Sequence, residues 1–182
     1  ALPISAMAKR MRSICDQLAA FPAPVIAVLN GHAFGGGAEV AVAADIRIAA
    51  DDIKIAFNQV ELEIMPAWGG AERLAALVGK SKALLLAGTG TALDAVEAER
   101  IGLVDLVLPR ASFDTPDRGW RSVAAALARH PATEIKRVIG GVSADEAIAS
   151  FARLWVAEAH WQAAARVMNR TSGPRRPAGG GT

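Results

Sequence analysis

Apolar residues recur at helical spacing over residues 4–20, where Ile4, Met7, Met11, Ile14, Cys15 and Leu18 share one face. Pro22 and Pro24 end that helix. Val25-Ile26-Ala27-Val28-Leu29 is a continuous apolar run rich in β-branched residues, the pattern of a strand buried on both faces, and Asn30-Gly31 punctuates it. After a glycine-rich turn, the small residues of Ala38–Ala44 predict a buried helix. Ile46–Ala49 and Ile53–Phe57 are predicted strands flanking Asp51-Asp52, the second with clear alternation.

From Ala71 the pattern turns helical. Predicted helices over Arg73–Val78 and Ser81–Ala87 stop at Gly79 and Gly88, and Gly88-Thr89-Gly90 reads as a helix stop. Thr91 is the expected cap of a helix over Ala92–Ile101, ended by Gly102. Leu103–Leu108 reads as a strand closed by Pro109. Helices follow over Arg118–Arg129 and Ala132–Ile139. A last, long one opens on the capping-box spacing of Ser143-Ala144-Asp145-Glu146 and runs to about Asn169. Trp120, Trp155 and Trp161 are expected to pack these helices together. Strands early and helices late, with no internal repeat or interdomain linker, make an α/β or α+β domain.

Composition narrows the class. A chain of 182 residues, 52% hydrophobic and 21% charged, suits one sizeable core and lies far from the disordered class. The net charge of +2 is spread along the chain, with small groupings at Lys9-Arg10-Met11-Arg12 and Arg175-Arg176, so no clustered basic face points to nucleic acid. A lone cysteine, Cys15, excludes an internal disulfide framework and fits a reducing compartment. The most apolar stretch, Val25–Ala44, contains Asn30, His32, Glu39 and several glycines, which a lipid-facing helix would not tolerate. Lys9, Arg10 and Arg12 fall where the apolar section of a secretion signal should lie. The expectation is a soluble, cytoplasmic protein without a membrane span.

The most informative segment is Asn30-Gly31-His32-Ala33-Phe34-Gly35-Gly36-Gly37-Ala38-Glu39, where a strand ends, three glycines follow and a helix begins. Glycines let a ligand approach the main chain, and the first amides of a helix lack internal partners, so they can bind an anion or steady an oxyanion. Glu39 falls in the first helical turn, a position suited to a base. The residues alone leave a second reading open, in which the glycines only permit close packing. A phosphate loop is excluded by the missing Lys and Ser/Thr, and the spacing is not that of a dinucleotide fingerprint. His32, His130 and His160 have no metal-ligand spacing among themselves or with Cys15, and no serine sits in a nucleophile elbow. No metal is expected. Trp68, beside Gly69-Gly70, lines a pocket or packs the core.

The run Pro24–Glu39 closely resembles the signature of the crotonase, or enoyl-CoA hydratase/isomerase, superfamily. Ala44-Asp45-Ile46-Arg47-Ile48-Ala49, Met65-Pro66-Ala67-Trp68-Gly69-Gly70-Ala71-Glu72-Arg73-Leu74 and Ala98-Glu99-Arg100-Ile101-Gly102-Leu103-Val104 continue the match in register to about Leu108. The resemblance implies a spiral of ββα turns over residues 1–110, incomplete at its N-terminus. It also implies a C-terminal helical oligomerisation region over 111–173; residues 174–182 read as a disordered tail. It implies a homotrimer or dimer of trimers. The substrate would be an acyl-CoA thioester, with coenzyme A part of the substrate and no separate cofactor. The amide of Gly36 would polarise the thioester carbonyl and stabilise an enolate, with Glu39 as acid/base and Gly35, Gly37, Trp68 and Gly69 lining the substrate site.

Two departures qualify this picture. Gapless alignment places Gln59 where the family's hydratases carry a second glutamate. An amide exchanges no protons near neutral pH, so Gln59 can only orient water or substrate. Glu61 and Glu63 would share its face in an extended segment, and a register shift would bring Glu61 into the site instead. The family's opening strands and second oxyanion amide are also expected to precede Ala1. The reactions left open are enoyl-CoA hydration, one-base isomerisation and decarboxylation, beside non-catalytic acyl-CoA binding. Lys9, Arg10 and Arg12 are candidate ligands of the CoA phosphates, against a solvated helix face.

Overall fold

The protein is described by a computed structural model covering residues 3–114 and 119–171, with side chains to Asn169. The predicted tail and Arg118 lie outside those residues. The chain divides into two compact units, Ala1–Thr133 and Glu134–Thr182.

The first unit opens with helix α1 (Pro3–Ala19). Strand β1 (Ile26–Leu29), strand β2 (Ala33–Phe34) and helix α2 (Gly36–Ala41) form one turn of chain. Strands β3 (Ile46–Ala50) and β4 (Lys54–Ala56), a 3₁₀ helix (Asn58–Leu62) and helices α3 (Gly70–Val78) and α4 (Lys80–Thr89) form the next. Each turn sends its first strand to one sheet and its second to another. β1 and β3 pair in parallel, Ile26 against Ile46, while β2 and β4 pair in parallel, Ala33 against Ile55. Strand β5 (Leu93–Asp94) adds to β4 antiparallel, helix α5 (Ala95–Arg100) follows, and β6 (Leu106–Leu108) completes the first sheet in the order β1-β3-β6.

Burial follows sheet position. The central strand β3 is the one closed on both faces, with Ile48, Ala49 and Ala50 fully inaccessible, whereas β1, at the sheet edge, is half-buried along its length. Ile53, Ile55, Phe57, Leu74, Leu103 and Val104 complete the core. Among the described residues one cation is buried with it. Arg47, 2% exposed, donates to the carbonyls of Leu103, Ala44 and Asp45 and to the Asp105 carboxylate at 2.6 Å. Burial pulls its pKa down against the pull of Asp105 in the other direction.

Four sequence expectations change, each for a local reason. The cap of α5 is Asp94, whose side chain accepts from the Glu97 amide, while Thr91 bonds the Thr89 hydroxyl. The strand predicted from Leu103 begins at Leu106, because the turn at Gly102 (φ +81°) sends the amides of Leu103 and Val104 back to the Ala98 carbonyl. The segment after Phe57 is a 3₁₀ helix and not extended, so residues two apart leave a common face. β2 was hidden in the glycine-rich turn because two residues carry no readable period.

After a 3₁₀ turn (Arg110–Ser112) the chain is helical: α6 (Trp120–Leu127) and α7 (His130–Ile139), the latter holding Pro131 in its first turn, where a missing N–H is harmless. The second unit carries α8 (Ala144–Val156) and α9 (Glu158–Thr171). The capping box of Ser143 and Glu146 is formed as predicted, but the long helix is two, broken where Ala157 turns extended (φ −68°, ψ 140°). Trp155 of α8 stacks on His160 and meets Trp161 edge-on, both in α9, so these rings join the two helices as expected while staying about half exposed, and Trp120 packs against the core of the first unit. Among the described residues no helix is long and apolar enough to cross a membrane.

Replacing Arg47 by Met leaves the buried Leu103 carbonyl, the part-buried Ala44 and Asp45 carbonyls and the Asp105 carboxylate without this donor. The variant is expected to lose about 3 kcal/mol of stability, read as a lower urea midpoint at unchanged slope.

Candidate active site

The glycine loop joins β2 to α2. Gly35 adopts φ +52° and ψ −116°, a conformation that L side chains avoid. At Gly36 the constraint is contact: a Cβ there would stand 2.4 Å from the Trp68 ring. The Gly36 N–H donates to no acceptor among the described residues. Gly37 has open space where a side chain would begin.

Glu39 lies in the first turn of α2 and is 2% exposed. Its carboxylate receives four N–H groups. Oε2 accepts from the main chain of Trp68 at 2.7 Å and Gly70 at 3.0 Å; Oε1 accepts from Gln59 Nε2 at 3.1 Å and the Ala67 amide at 3.3 Å. A carboxylate offers about four lone-pair positions, and all are in use. Helix α3 starts at Gly70 with no side-chain cap of its own, since Gly69 (φ +86°) precedes it. The Glu39 carboxylate therefore serves as its cap from another helix. Close approach makes this possible, because a Cβ on Gly70 would meet Glu39 Cγ at 2.4 Å.

Gln59 sits in the 3₁₀ helix, 8% exposed, with its amide over Gly35. Its Nε2 faces Glu39, and its Oε1 accepts from no described residue. Glu61 and Glu63 point away from this group: both are exposed, and Glu61 accepts from Asn58 Nδ2 at 3.1 Å. The face shared with Gln59 that an extended segment would give them does not exist.

Trp68 is half-buried, and its carbonyl accepts from Arg73 at 3.1 Å. Arg73 also pairs with Asp16, and Arg12 with Glu72 at 2.7 Å, so α1 is tied to α3. The Arg12 guanidinium holds the Glu72 carboxyl below its ordinary range. Lys9 and Arg10 are exposed. Cys15 is fully buried, which pushes its thiol pKa up while Arg73 pulls the other way.

The structure thus brings together Gly35, Gly36, Glu39, Gln59 and Trp68. Sequence reasoning missed the three main-chain donors from Ala67, Trp68 and Gly70. Their one sequence signal is a Gly-Gly pair immediately before a helical pattern. Apolar hollows also occur in the second unit, one lined by Ile148, Phe151, Ala152, Trp155 and Val156 and another bordered by Glu134 and Ser150, which Arg137 and Arg153 reach.

Successive strand–strand–helix turns feeding two sheets, with a buried carboxylate beside a glycine loop, define an α/β protein of crotonase-like fold. The chain belongs to the enoyl-CoA hydratase/isomerase family, whose model matches residues 5–166. It is 38% identical over 123 residues to a probable enoyl-CoA hydratase of Mycobacterium bovis, covering 68% of this chain and 48% of that protein. It is 41% identical over 102 residues to one of Bacillus subtilis, covering 56% and 40%. The chain therefore spans about half or less of the length of these curated relatives. A crystal structure of an enoyl-CoA hydratase from Geobacillus kaustophilus superimposes with a TM-score of 0.79 at 30% identity, covering 93% of this chain and 68% of that one.

The contrast between adjacent glycines is testable. Gly36→Ala, which must displace the Trp68 ring, is expected to cost roughly 2 kcal/mol or more, whereas Gly37→Ala changes stability by no more than about 0.5 kcal/mol. Thermal melts of the two variants check this.

Proposed function

We propose that this chain carries the site of an enzyme that acts on acyl-CoA thioesters through an enolate. The observation that carries the reading is the pairing of an uncommitted main-chain donor at Gly36 with a buried carboxylate, Glu39, one turn away. In this scheme the Gly36 N–H bonds the thioester oxygen and steadies the charge that gathers there when Cα loses a proton. Glu39 moves that proton. Because its lone pairs are all engaged, one donor must give way as the proton arrives. The longer bonds fall on Oε1, which makes Oε1 the oxygen that exchanges a donor for the substrate proton. Gln59 orients water or substrate and transfers no proton.

One-base chemistry follows more directly from this group than two-carboxylate hydration. Isomerisation by proton shuttling and decarboxylation of a malonyl-type thioester both need one proton carrier and an oxyanion donor. Coenzyme A belongs to the substrate, and the scheme uses no separate cofactor. Gly35, Gly37, Trp68 and Gly69 shape the substrate side of the loop. The exposed Ile139, Ile148, Phe151 and Val156 of the second unit support a role for its helices in assembly, as trimers or dimers of trimers.

A second reading is favoured by the same saturation of Glu39: a protein that binds acyl-CoA without turning it over. Exchange of the Cα hydrogen of an acyl-CoA in D₂O separates the two. The enzyme reading predicts measurable exchange that falls to background in Glu39→Ala, with circular dichroism confirming the fold. Exchange at wild-type rates in that variant contradicts the role given to Glu39, and tight binding without exchange favours the binder. Gln59→Glu would set a second carboxylate about 3.1 Å from the first and supply the proton carrier that the amide lacks. This variant is expected to raise enoyl-CoA hydration on the order of a hundredfold, measured as loss of the enoyl absorbance.

A further inference from the structure

The consecutive glycines of the loop carry no side chains to hold them, yet the proposed chemistry needs one N–H, that of Gly36, aimed at a fixed point. Two main-chain bonds secure Gly35: its N–H donates to the Ala56 carbonyl at 2.9 Å, and its carbonyl accepts from the Glu39 amide at 3.1 Å. Gly37 has nothing within 4 Å of the position of a Cβ. At Gly36 a neighbour stands in for the missing side chain. Cζ3 and Cη2 of Trp68 lie 2.4 Å from where its Cβ would be, and Cε3 lies 3.3 Å away, so the benzo edge of the indole rests on the Gly36 main chain.

Trp68 is itself held in place. Its N–H donates to Glu39 Oε2 at 2.7 Å and its carbonyl accepts from Arg73 Nη1 at 3.1 Å, while Arg73 pairs with Asp16 of α1. The ring is half-buried and lies outside the core cluster built on Ile48, Ile55, Phe57 and Leu74. One residue thus touches both halves of the site, Glu39 through its main chain and Gly36 through its side chain. Resting on the thioester reading above, we propose that Trp68 is a positioning residue whose ring fixes the direction in which the Gly36 N–H meets the thioester oxygen. Consecutive glycines have the greatest backbone freedom, and an oxyanion donor works only within about 0.5 Å of its place. The ring removes that freedom on the Cβ side of Gly36. Truncating it keeps the main-chain bonds of Trp68, so Gly36 is released while Glu39 stays held.

The carbonyl stretch of butyryl-CoA labelled with carbon-13 at the thioester carbon tests this, read by infrared difference spectroscopy on the saturated protein. The wild-type protein is expected to shift the band below its wavenumber in water, as a polarised carbonyl requires. Trp68→Ala is expected to lose at least half of that shift, and Trp68→Phe, whose smaller ring reaches Gly36 less closely, to fall between. A role confined to packing or to binding the acyl group would weaken affinity and leave the bound carbonyl at its wild-type frequency. That frequency retained in Trp68→Ala, or in Trp68→Phe should the alanine variant fail to fold, overturns the role of Trp68 and leaves the thioester reading intact. A wild-type protein that binds the thioester without shifting its carbonyl, or binds none, overturns both.

Discussion

The site is organised by one carboxylate and the N–H groups gathered on it. Glu39 is anchored in α2, yet its oxygens accept from the loop before α3, from the first residue of α3 and from the 3₁₀ helix after β4. Two separate stretches of chain, residues 67–70 and the 3₁₀ helix, are thereby fixed to α2. Such a group is sensitive to small changes. An amide at position 39 would set its own N–H groups against two of the four donors, and each buried donor left unpaired costs about 1–3 kcal/mol. The same bonds that hold the carboxylate in place also occupy it, so under the proposed scheme structure and proton transfer compete for its lone pairs.

That competition gives the residue at position 59 its weight. A glutamine there can donate to Glu39 where an ionised glutamate would repel it. The Gln59 amide adds a fourth N–H to the Glu39 carboxylate. It also turns a carbonyl oxygen toward the glycine loop. In the proposed scheme, a single amide therefore leaves one acid and a fixed polar contact.

Much of this was legible in the sequence, and the limits have physical causes. The glycine loop and the position of Glu39 in a first helical turn could be read because each rests on local spacing. β1, β3, β4 and α3 followed from runs of apolar residues. Main-chain donors were invisible, since the amides of Ala67, Trp68 and Gly70 are the same whatever side chains they carry. The helix break at Ala157 was equally hidden, because alanine is a good helix former and the apolar pattern runs through it. The face proposed for Glu61 and Glu63 failed because five residues can form a 3₁₀ helix as readily as a strand, and the choice is made by packing.

The most direct test of the account is a crystal structure of the protein with an acyl-CoA thioester bound. The account predicts the thioester oxygen at 2.7–3.1 Å from the Gly36 nitrogen, with Glu39 Oε1 in reach of Cα. A thioester seated away from the glycine loop, or a Gly36 N–H bonded within the protein while the ligand is bound, would contradict it.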